Sequence, residues 1–211
     1  MFTGLVQELG KLLDKRPLEA GVRLRIQSTL GSKSRYVLGE SIAIDGACLS
    51  VVAWDGAAFE VEASVETLNR TTLKNARVGE ALHLERAARF GDSIGGHMVT
   101  GHVDGLATLL RRDMLGEAQQ LSFRAPENLM PFIAQKGSIS LAGVSLTVNE
   151  VDYSTLRVVI IPITQAHTKL GAVAVGTNLN LEIDLIARYV ARLHQFPKTD
   201  WSTLLEQNGY L

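Results

Sequence analysis

Short runs in which apolar and polar residues alternate recur along the first 186 positions of the chain. Examples are VRLRIQS at 22–28, AFEVEAS at 58–64, QLSFRA at 120–125 and NLNLEI at 178–183. A period of two residues places successive side chains on opposite faces of a strand, so each run predicts a β-strand. About six short strands per hundred residues, separated by Gly and Asp, predict a closed or nearly closed antiparallel barrel.

The sequence repeats itself once. A shift of 97 positions without a gap superimposes Thr3 on Thr100, and identities continue as far as Glu85, which falls on Glu182. One offset held over a whole domain does not arise by chance, so we predict a duplicated barrel and not a solenoid of small units. Each copy is also expected to carry a short helix, at 67–73 and at 164–170. The predicted parts are a first barrel at 1–97, a second at 98–186 and a helical tail at 187–211.

The tail has a different period. Asp184 is a good helix N-cap, and the apolar residues that follow it recur at helical spacing. These apolar residues are Leu185, Ile186, Tyr189, Val190 and Leu193. We expect Pro197 to end this helix, and a second short helical segment to run from a cap at Thr199 or Asp200 to a stop at Asn208-Gly209. The apolar stripe must pack on the chain's own barrels or on neighbouring chains, and we favour contacts between subunits.

Composition narrows the class of protein. The chain has 46% hydrophobic and 20% charged residues, which is typical of a folded domain. The net charge is −1 with scattered basic residues, so we expect no nucleic-acid partner. No stretch reaches the roughly 20 apolar residues of a membrane span, and the first residues do not have the pattern of a signal peptide. A single cysteine, Cys48, allows no intramolecular disulfide, so we expect a cytoplasmic protein. Dispersed histidines predict no metal site.

The centre of the repeat carries small polar groups. Cys-Leu-Ser at 48–50 in the first copy corresponds to Ser-Leu-Thr at 145–147 in the second. In a strand the first and third residues of each triplet share a face, and two small polar groups on one face suit a heterocyclic ligand. The alternative is that these are ordinary half-buried strand residues.

Longer motifs resemble a known family. They are MFTGLV at the amino terminus, GACLSVV, GGHMVTGHVDG between the copies, and KGSISLAGVSLTVN followed by IIPIT. Over at least residues 1–190 the chain resembles the α-type riboflavin synthases, which are built from lumazine-binding repeats. The resemblance implies an all-β fold of two tandem six-stranded Greek-key barrels with a carboxy-terminal α-helix. It also implies a homotrimer held by that helix, with active sites between the first barrel of one chain and the second barrel of its neighbour.

The reaction that this resemblance implies joins two identical substrates. Two molecules of 6,7-dimethyl-8-ribityllumazine per site yield riboflavin and 5-amino-6-(D-ribitylamino)uracil by transfer of a four-carbon unit, without a metal or other cofactor. The duplication makes chemical sense, because two similar but unequal pockets can orient a donor and an acceptor.

The resemblance also implies catalytic residues, which are Cys48, His102, Ser145, Thr147 and Asp184. Cys48 would contact the acceptor or deliver a nucleophile, although a free cysteine is commonly a small buried hydrophobe. His102 replaces Leu5 of the first copy and would carry a proton from the acidic methyl group of the substrate, unless it is a structural histidine. Asp184 would reach the substrate, cap the helix, or do both.

A larger set of substrate contacts follows from the same resemblance. Phe2 is expected to cover the site as an apolar or stacking surface, although chain starts are normally frayed. The sequence departs from the family at Ala142, where Asp is common, and at Ser50, where Thr is usual. The remaining expected contacts, through side chain or backbone, are Thr3, Gly4, Leu5, Val6, Ser41, Leu49, Ser50, Glu62, Ala63, Ser64, Val65, Glu66, Thr67, Gly101, Val103, Lys136, Leu146, Ile161, Pro162, Ile163 and Thr164.

Three other functions compete with this one. A non-catalytic lumazine or flavin carrier, like the lumazine proteins of luminous bacteria, would lose motif residues in one pocket. Here Cys48, His102, Ser145 and Thr147 are all present, which favours the enzyme. A flavin reductase needs a Gly-rich G-x-G-x-x-G turn, which the sequence lacks. A structural interaction module would have no use for a matched pair of polar pockets.

Overall fold

A computed structural model describes residues 1–195 and 205–209. Within them, twelve strands form two closed antiparallel barrels. The first barrel consists of β1 Glu8–Leu18, β2 Gly21–Gln27, β3 Ser41–Ile44, β4 Ala47–Trp54, β5 Ala58–Ser64 and β6 Ala81–Arg86. The second consists of β7 Gly105–Leu115, β8 Ala118–Arg124, β9 Ser138–Leu141, β10 Val144–Val151, β11 Thr155–Ile160 and β12 Asn178–Ile183.

The two barrels have the same connectivity. Around the first barrel the order is β1-β2-β5-β4-β3-β6, and the second closes through the equivalent order β7-β8-β11-β10-β9-β12. Alternate residues point inward, so that Phe59 and Phe123 lie fully buried in the two hydrophobic cores. The predicted pair of six-stranded barrels is therefore confirmed.

Short helices lie between strands, namely α1 Leu30–Lys33, α2 Val65–Arg70 and α3 Pro162–His167. The longer α4 Leu185–Gln195 follows the last strand. The helices α2 and α3 continue into 3₁₀ turns at Thr72–Lys74 and Lys169–Gly171, which confirms the short helix expected in each copy. Another 3₁₀ segment spans Glu127–Phe132.

Matching irregularities in β1 and β7 hold these turns in place. The strand register shifts between Leu12 and Asp14 in β1, and at the equivalent point in β7. After the shift Lys15 donates hydrogen bonds to the carbonyls of Leu73, Lys74 and Ala76. Its counterpart Arg112 does the same for the turn after α3. Such a bulge re-aims a side chain, and here it gives each turn a cation that satisfies its free carbonyls.

The barrels meet at two tight turns. Asp45-Gly46 joins β3 to β4 and Ala142-Gly143 joins β9 to β10, and all four residues have positive φ, as a type I′ turn requires. A Cβ built on Gly46 would lie 2.6 Å from the nitrogen of Gly143, and a Cβ on Gly143 would lie 2.8 Å from the nitrogen of Gly46. The backbones are therefore in direct contact, which only glycine permits.

The tail begins as the sequence predicts. Asp184 Oδ1 accepts a hydrogen bond from Ile186 N at 2.8 Å, which caps α4. The apolar stripe of this helix is largely exposed in the single chain, with Leu193 72% exposed. The expected stop at Pro197 and the caps at Thr199 or Asp200 lie outside the described residues, whereas residues 205–207 are helical and end in a turn at 208–209. None of the helices described is long and apolar enough to span a membrane.

Candidate functional site

The polar triplets face away from the barrel cores. In β4, Leu49 is buried in the first core, whereas Cys48 is half-buried and Ser50 is exposed. The triplet 145–147 of β10 follows the same pattern, with its central leucine buried in the second core. The first and third residues of each triplet therefore share an outer face, as predicted.

Each of these outer faces is covered by the leading segment of the other repeat, meaning residues 2–6 or 99–103. Cys48 N donates to Gly101 O at 2.9 Å, and Ser145 N donates to Gly4 O at 2.8 Å. A Cβ added to either glycine would come within 2.5 Å of the Cβ of Cys48 or of Ser145. The lack of a side chain at Gly4 and Gly101 therefore lets each segment lie directly on the opposite barrel.

Two buried carboxylates anchor the leading segments. Glu85 Oε1 accepts from Thr3 N at 2.7 Å, and Glu182 Oε1 accepts from Thr100 N at 2.7 Å. Desolvation by burial raises the pKa of both Glu85 and Glu182, although hydrogen bonds from the two segments oppose the shift. The same device thus fixes the backbone over both polar faces.

A cavity of about 270 Å³ lies at the first triplet. It is bounded by the start of β4, by α2 and by the second leading segment. Its lining residues are Ala47, Cys48, Glu66, Thr67, Arg70, Thr71, Gly101, His102 and Val103. The structure therefore brings the predicted residues Cys48, Glu66, Thr67, His102 and Val103 together around one space.

A second cavity, of about 610 Å³, adjoins the first. The two share Glu66, Arg70, His102 and Val103. The second is also lined by the start of α4, where the Arg188 guanidinium donates to both carboxylate oxygens of Asp104, at 2.8 and 2.9 Å. The start of the amphipathic tail therefore lines the cavity next to the first one.

His97 contacts the expected site residue Ser145 and was not singled out by the sequence analysis. Its Nδ1 lies 2.7 Å from Ser145 Oγ, and either atom can be the donor. Its Nε2 is buried and has no hydrogen-bond partner among the described residues. Burial lowers the pKa of His97, while the charge of Asp184 acts in the opposite direction. A sequence signal for this histidine was the Gly-Gly that precedes it in GGHMVTGHVDG. A Cβ on Gly96 would lie 2.1 Å from Thr3 O, so a glycine is needed where the chain passes the first leading segment.

Phe2 lies beneath the site instead of over it. It forms an antiparallel bridge with Val99 and packs with Ala43 and Cys48 between the barrels. Only 2% of its surface is exposed, so it supports Cys48 and offers no open face on which a ligand could stack in the single chain. The chain start is therefore fixed, not frayed.

Several other expected contacts have side chains that point elsewhere. Leu49, Ala63 and Leu146 are buried inside the barrels, so only their backbones remain available. Glu62 is exposed and accepts from Arg23 Nε at 3.1 Å. The structure does not bring these four side chains to the first cavity.

The remaining expected contacts have local roles or lie at the second barrel. Ser64 caps α2, with its Oγ accepting from Thr67 N at 3.2 Å. Val65 is exposed at the start of that helix, and Ser41 lies opposite Ser50 in the β3–β4 ladder. Leu5 and Val6 line a groove of about 460 Å³ with Thr3 and Glu85. At the second barrel, the expected contacts at the start of α3 are largely exposed. They are Ile161, Pro162, Ile163 and Thr164.

Lys136 has an unusual backbone. Its φ is +66°, and its amide donates to Val148 O at 2.7 Å. The first repeat has Gly39 at the matching position, with φ +82° and an equivalent bond to Val51 O at 2.8 Å. A left-handed conformation costs a side-chain-bearing residue about 1 kcal/mol or more, so the second repeat keeps a lysine at some expense in stability.

Known proteins share the repeat and the architecture of this chain. Two segments, residues 3–87 and 100–184, match the family described as Lumazine binding domain. The riboflavin synthase of Brucella abortus is 44% identical over 203 residues, covering 94% of this chain and all of the relative. This chain belongs to the riboflavin synthase family. Another riboflavin synthase, from Mycobacterium tuberculosis, is 38% identical over 92% of this chain and 98% of the relative.

Solved structures show the same fold as this member of the riboflavin synthase family. LumP complexed with riboflavin superimposes with a TM-score of 0.79 at 23% identity, over 87% of this chain and 99% of that one. LumP complexed with 6,7-dimethyl-8-(1'-D-ribityl) lumazine gives 0.77 at 22% identity, over 86% of this chain and 98% of that one. At this identity the likeness concerns the fold alone.

Proposed function

We propose that this chain converts two molecules of 6,7-dimethyl-8-ribityllumazine into riboflavin and 5-amino-6-(D-ribitylamino)uracil. The observation that carries the proposal is a pair of matched outer faces with unequal chemistry. The first presents Cys48 beside His102, and the second presents Ser145 hydrogen-bonded to His97. A dismutation needs such an arrangement, because identical substrates must take different roles.

Each group has a proposed task in this reaction. His102 is exposed at the first cavity, where an imidazole can accept the proton that leaves the methyl group of a lumazine. Cys48 lines the same cavity and contacts the ring. Ser145 and Thr147 offer hydroxyl groups to the other lumazine, and Asp184 lies close enough to His97 to influence its charge. The proposed chemistry uses no metal or other cofactor.

We also propose that the active unit is a homotrimer in the cytoplasm. The apolar stripe of α4 is uncovered in the single chain, and two of its residues, Leu185 and Tyr189, line the second cavity, which adjoins the first. A neighbouring chain packed on α4 would bury this stripe and place its second barrel against the first barrel of this chain. Each site would then hold two lumazines between unlike barrels. Sedimentation equilibrium of the purified protein measures the assembly, and a monomer at working concentration would contradict this arrangement.

The test of the activity needs only one substrate. The purified protein is incubated with 6,7-dimethyl-8-ribityllumazine alone, and the rise of riboflavin absorbance at long wavelength is followed. We expect one riboflavin for every two lumazines consumed. Tight binding of the lumazine without any riboflavin would instead identify a carrier protein, and the catalytic roles of Cys48, His102 and Ser145 would be wrong.

A further inference from the structure

The helices beside the two polar faces are each held by a side chain of the opposite barrel. After α2, Thr72 N donates to Asn180 Oδ1 at 2.8 Å, across to β12 of the second barrel. After α3, Lys169 N donates to His83 Nε2 at 2.8 Å, across to β6 of the first barrel. The repeat relates Thr72 to Lys169 and His83 to Asn180, so these are two copies of one cross-barrel contact.

The other ends of these side chains are bonded in the same way. Asn180 Nδ2 donates to Asp45 O at 2.8 Å, and His83 Nδ1 lies 2.8 Å from Ala142 O. Because Ala142 O can only accept and Lys169 N can only donate, His83 must be neutral with its proton on Nδ1. One neutral tautomer of the imidazole therefore makes the same two hydrogen bonds that the amide of Asn180 makes at any pH.

The surroundings of His83 favour this neutral form. Its side chain is 1% exposed, and desolvation lowers its pKa. Two charged groups face it from neighbouring elements. Asp45 Oδ1, in the turn after β3, lies 3.8 Å from Nδ1 and acts to raise the pKa, whereas the Lys169 ammonium, after α3, acts to lower it and is itself bonded to Asp45 Oδ2. On the same strand as His83, the Glu85 carboxylate accepts hydrogen bonds from Thr3.

By the repeat, the first cavity between Cys48 and α2 has its counterpart between Ser145 and α3, which we call the second ligand pocket. We propose that His83 is a positioning residue for this second ligand pocket, and that only its Nδ1-protonated neutral form holds that pocket. Protonation of Nε2 removes the acceptor of Lys169 N, and the turn that ends α3 is released. The corresponding turn after α2 is held by Asn180, which does not titrate, so protonation of His83 releases the turn after α3 and leaves the turn after α2 in place. The inference rests on the proposed function, since it assumes that the second pocket takes a lumazine.

The decisive variant is His83→Asn, which installs the residue that the second repeat has at the matching place. Turnover and KM for 6,7-dimethyl-8-ribityllumazine are measured from about pH 7.5 down to the lowest pH at which both proteins remain folded, because burial holds the pKa of His83 below the ordinary value of about 6.5. In the parent protein we expect KM to rise with acid by up to about tenfold for each pH unit below the pKa of His83. In His83→Asn we expect near-parental values at neutral pH and a rise of less than about threefold. The reciprocal Asn180→His is expected to make the response to acid steeper.

Two results would overturn the proposal. One is an unchanged acid response in His83→Asn, and the other is a folded His83→Asn protein that is inactive at neutral pH, because the amide offers the same two hydrogen bonds. If the variant does not fold, nitrogen NMR of the parent protein decides, since a proton on Nε2 of His83 at neutral pH contradicts the assignment. Riboflavin binding followed by fluorescence gives the same pH comparison without turnover. A protein that binds riboflavin but forms no product would contradict the proposed function, and the pH dependence of its binding would still test the role of His83.

Discussion

The Nδ1 atom of His97 lies 2.7 Å from the hydroxyl oxygen of Ser145, whereas Cys48, the counterpart of Ser145, has no hydrogen bond to an imidazole within the residues described. This contact gives the second polar face an oriented hydroxyl group. We expect His97→Ala to lower kcat/KM by about 10- to 100-fold, which is a common range for a group that helps proton transfer or orients a reacting partner.

A double-mutant cycle tests whether His97 acts through Ser145. His97→Ala and Ser145→Ala are expected to be strongly non-additive, because each removes the same hydrogen bond. His97→Asn is the matched control, since its amide can occupy the place of Nδ1, and it should retain more activity than His97→Ala. Additive effects of the two alanine variants on kcat/KM would show that the histidine acts independently of Ser145.

His102 is expected to matter for turnover more than for binding. His102→Gln keeps a polar side chain at the first cavity but cannot carry a proton, so we expect turnover to fall by about 10²- to 10⁴-fold. Riboflavin binding, measured by fluorescence titration, should be largely retained. His194→Gln, on the exposed side of α4, is the control and should behave as the parent protein does. Unchanged turnover in His102→Gln would remove this residue from the mechanism.

The contact between Gly46 and Gly143 predicts a large loss of stability on substitution. Gly46→Ala places a Cβ 2.6 Å from a backbone nitrogen and must separate the barrels, so we expect the free energy of unfolding to fall by more than about 3 kcal/mol. Gly79→Ala is the control, because Gly79 also has positive φ (+93°) but has nothing within 4 Å of a Cβ, and it should cost only about 1 kcal/mol. If urea unfolding shows equal losses of unfolding free energy in the two variants, the close approach of Gly46 to Gly143 does not contribute to the effect.

Lys136 is expected to lower the stability of the fold and to strengthen lumazine binding. Lys136→Gly relieves the left-handed backbone and should raise the free energy of unfolding by up to about 1 kcal/mol, while weakening lumazine binding about tenfold. Lys136→Ala removes the ammonium group but keeps the strain, so it should weaken binding without the gain in stability. Unfolding curves and ligand titrations of both variants check this expectation. A less stable Lys136→Gly would mean that the lysine serves the fold.

The buried His83 and the half-buried His97 predict how stability depends on pH. Burial lowers the pKa of both His83 and His97, whereas in the unfolded chain each titrates near 6.5. Between the lowered pKa and 6.5 the unfolded chain binds more protons, so the free energy of unfolding falls as the pH falls through that window. Glu85 and Glu182 have raised pKa values, so their contribution falls as the pH rises above about 4.5.

Thermal unfolding between about pH 5 and about pH 7 isolates the part due to His83. The midpoint of the parent protein should decrease toward acid more than that of His83→Asn, because the variant has lost one of the two imidazoles whose pKa is lowered by burial. Identical pH dependence in the two proteins would mean that His83 has the same pKa in the folded and unfolded chains.

The sequence predicted the features that follow from periodicity. The two-residue alternation identified the strands, and the offset of 97 residues identified two barrels with the triplets 48–50 and 145–147 on equivalent outer faces. The residues of the leading segments were predicted as contacts, but the role of His97 and the crossing of each segment onto the opposite barrel were not. Irregular backbone has no period, and its path depends on which barrel it meets. The identity of Glu85 and Glu182 was visible in the repeat, but their partners became visible only when the barrels were placed side by side.

The crossing of the leading segments also bears on the origin of the chain. A protein with one repeat could cover its polar face only by exchanging leading segments with a second copy, as a twofold symmetric dimer. Fusion of two copies would make this exchange independent of concentration and would free the two halves from symmetry. Cys48 and Ser145 occupy equivalent places and differ, which is the kind of divergence that a symmetric ancestor could not have had.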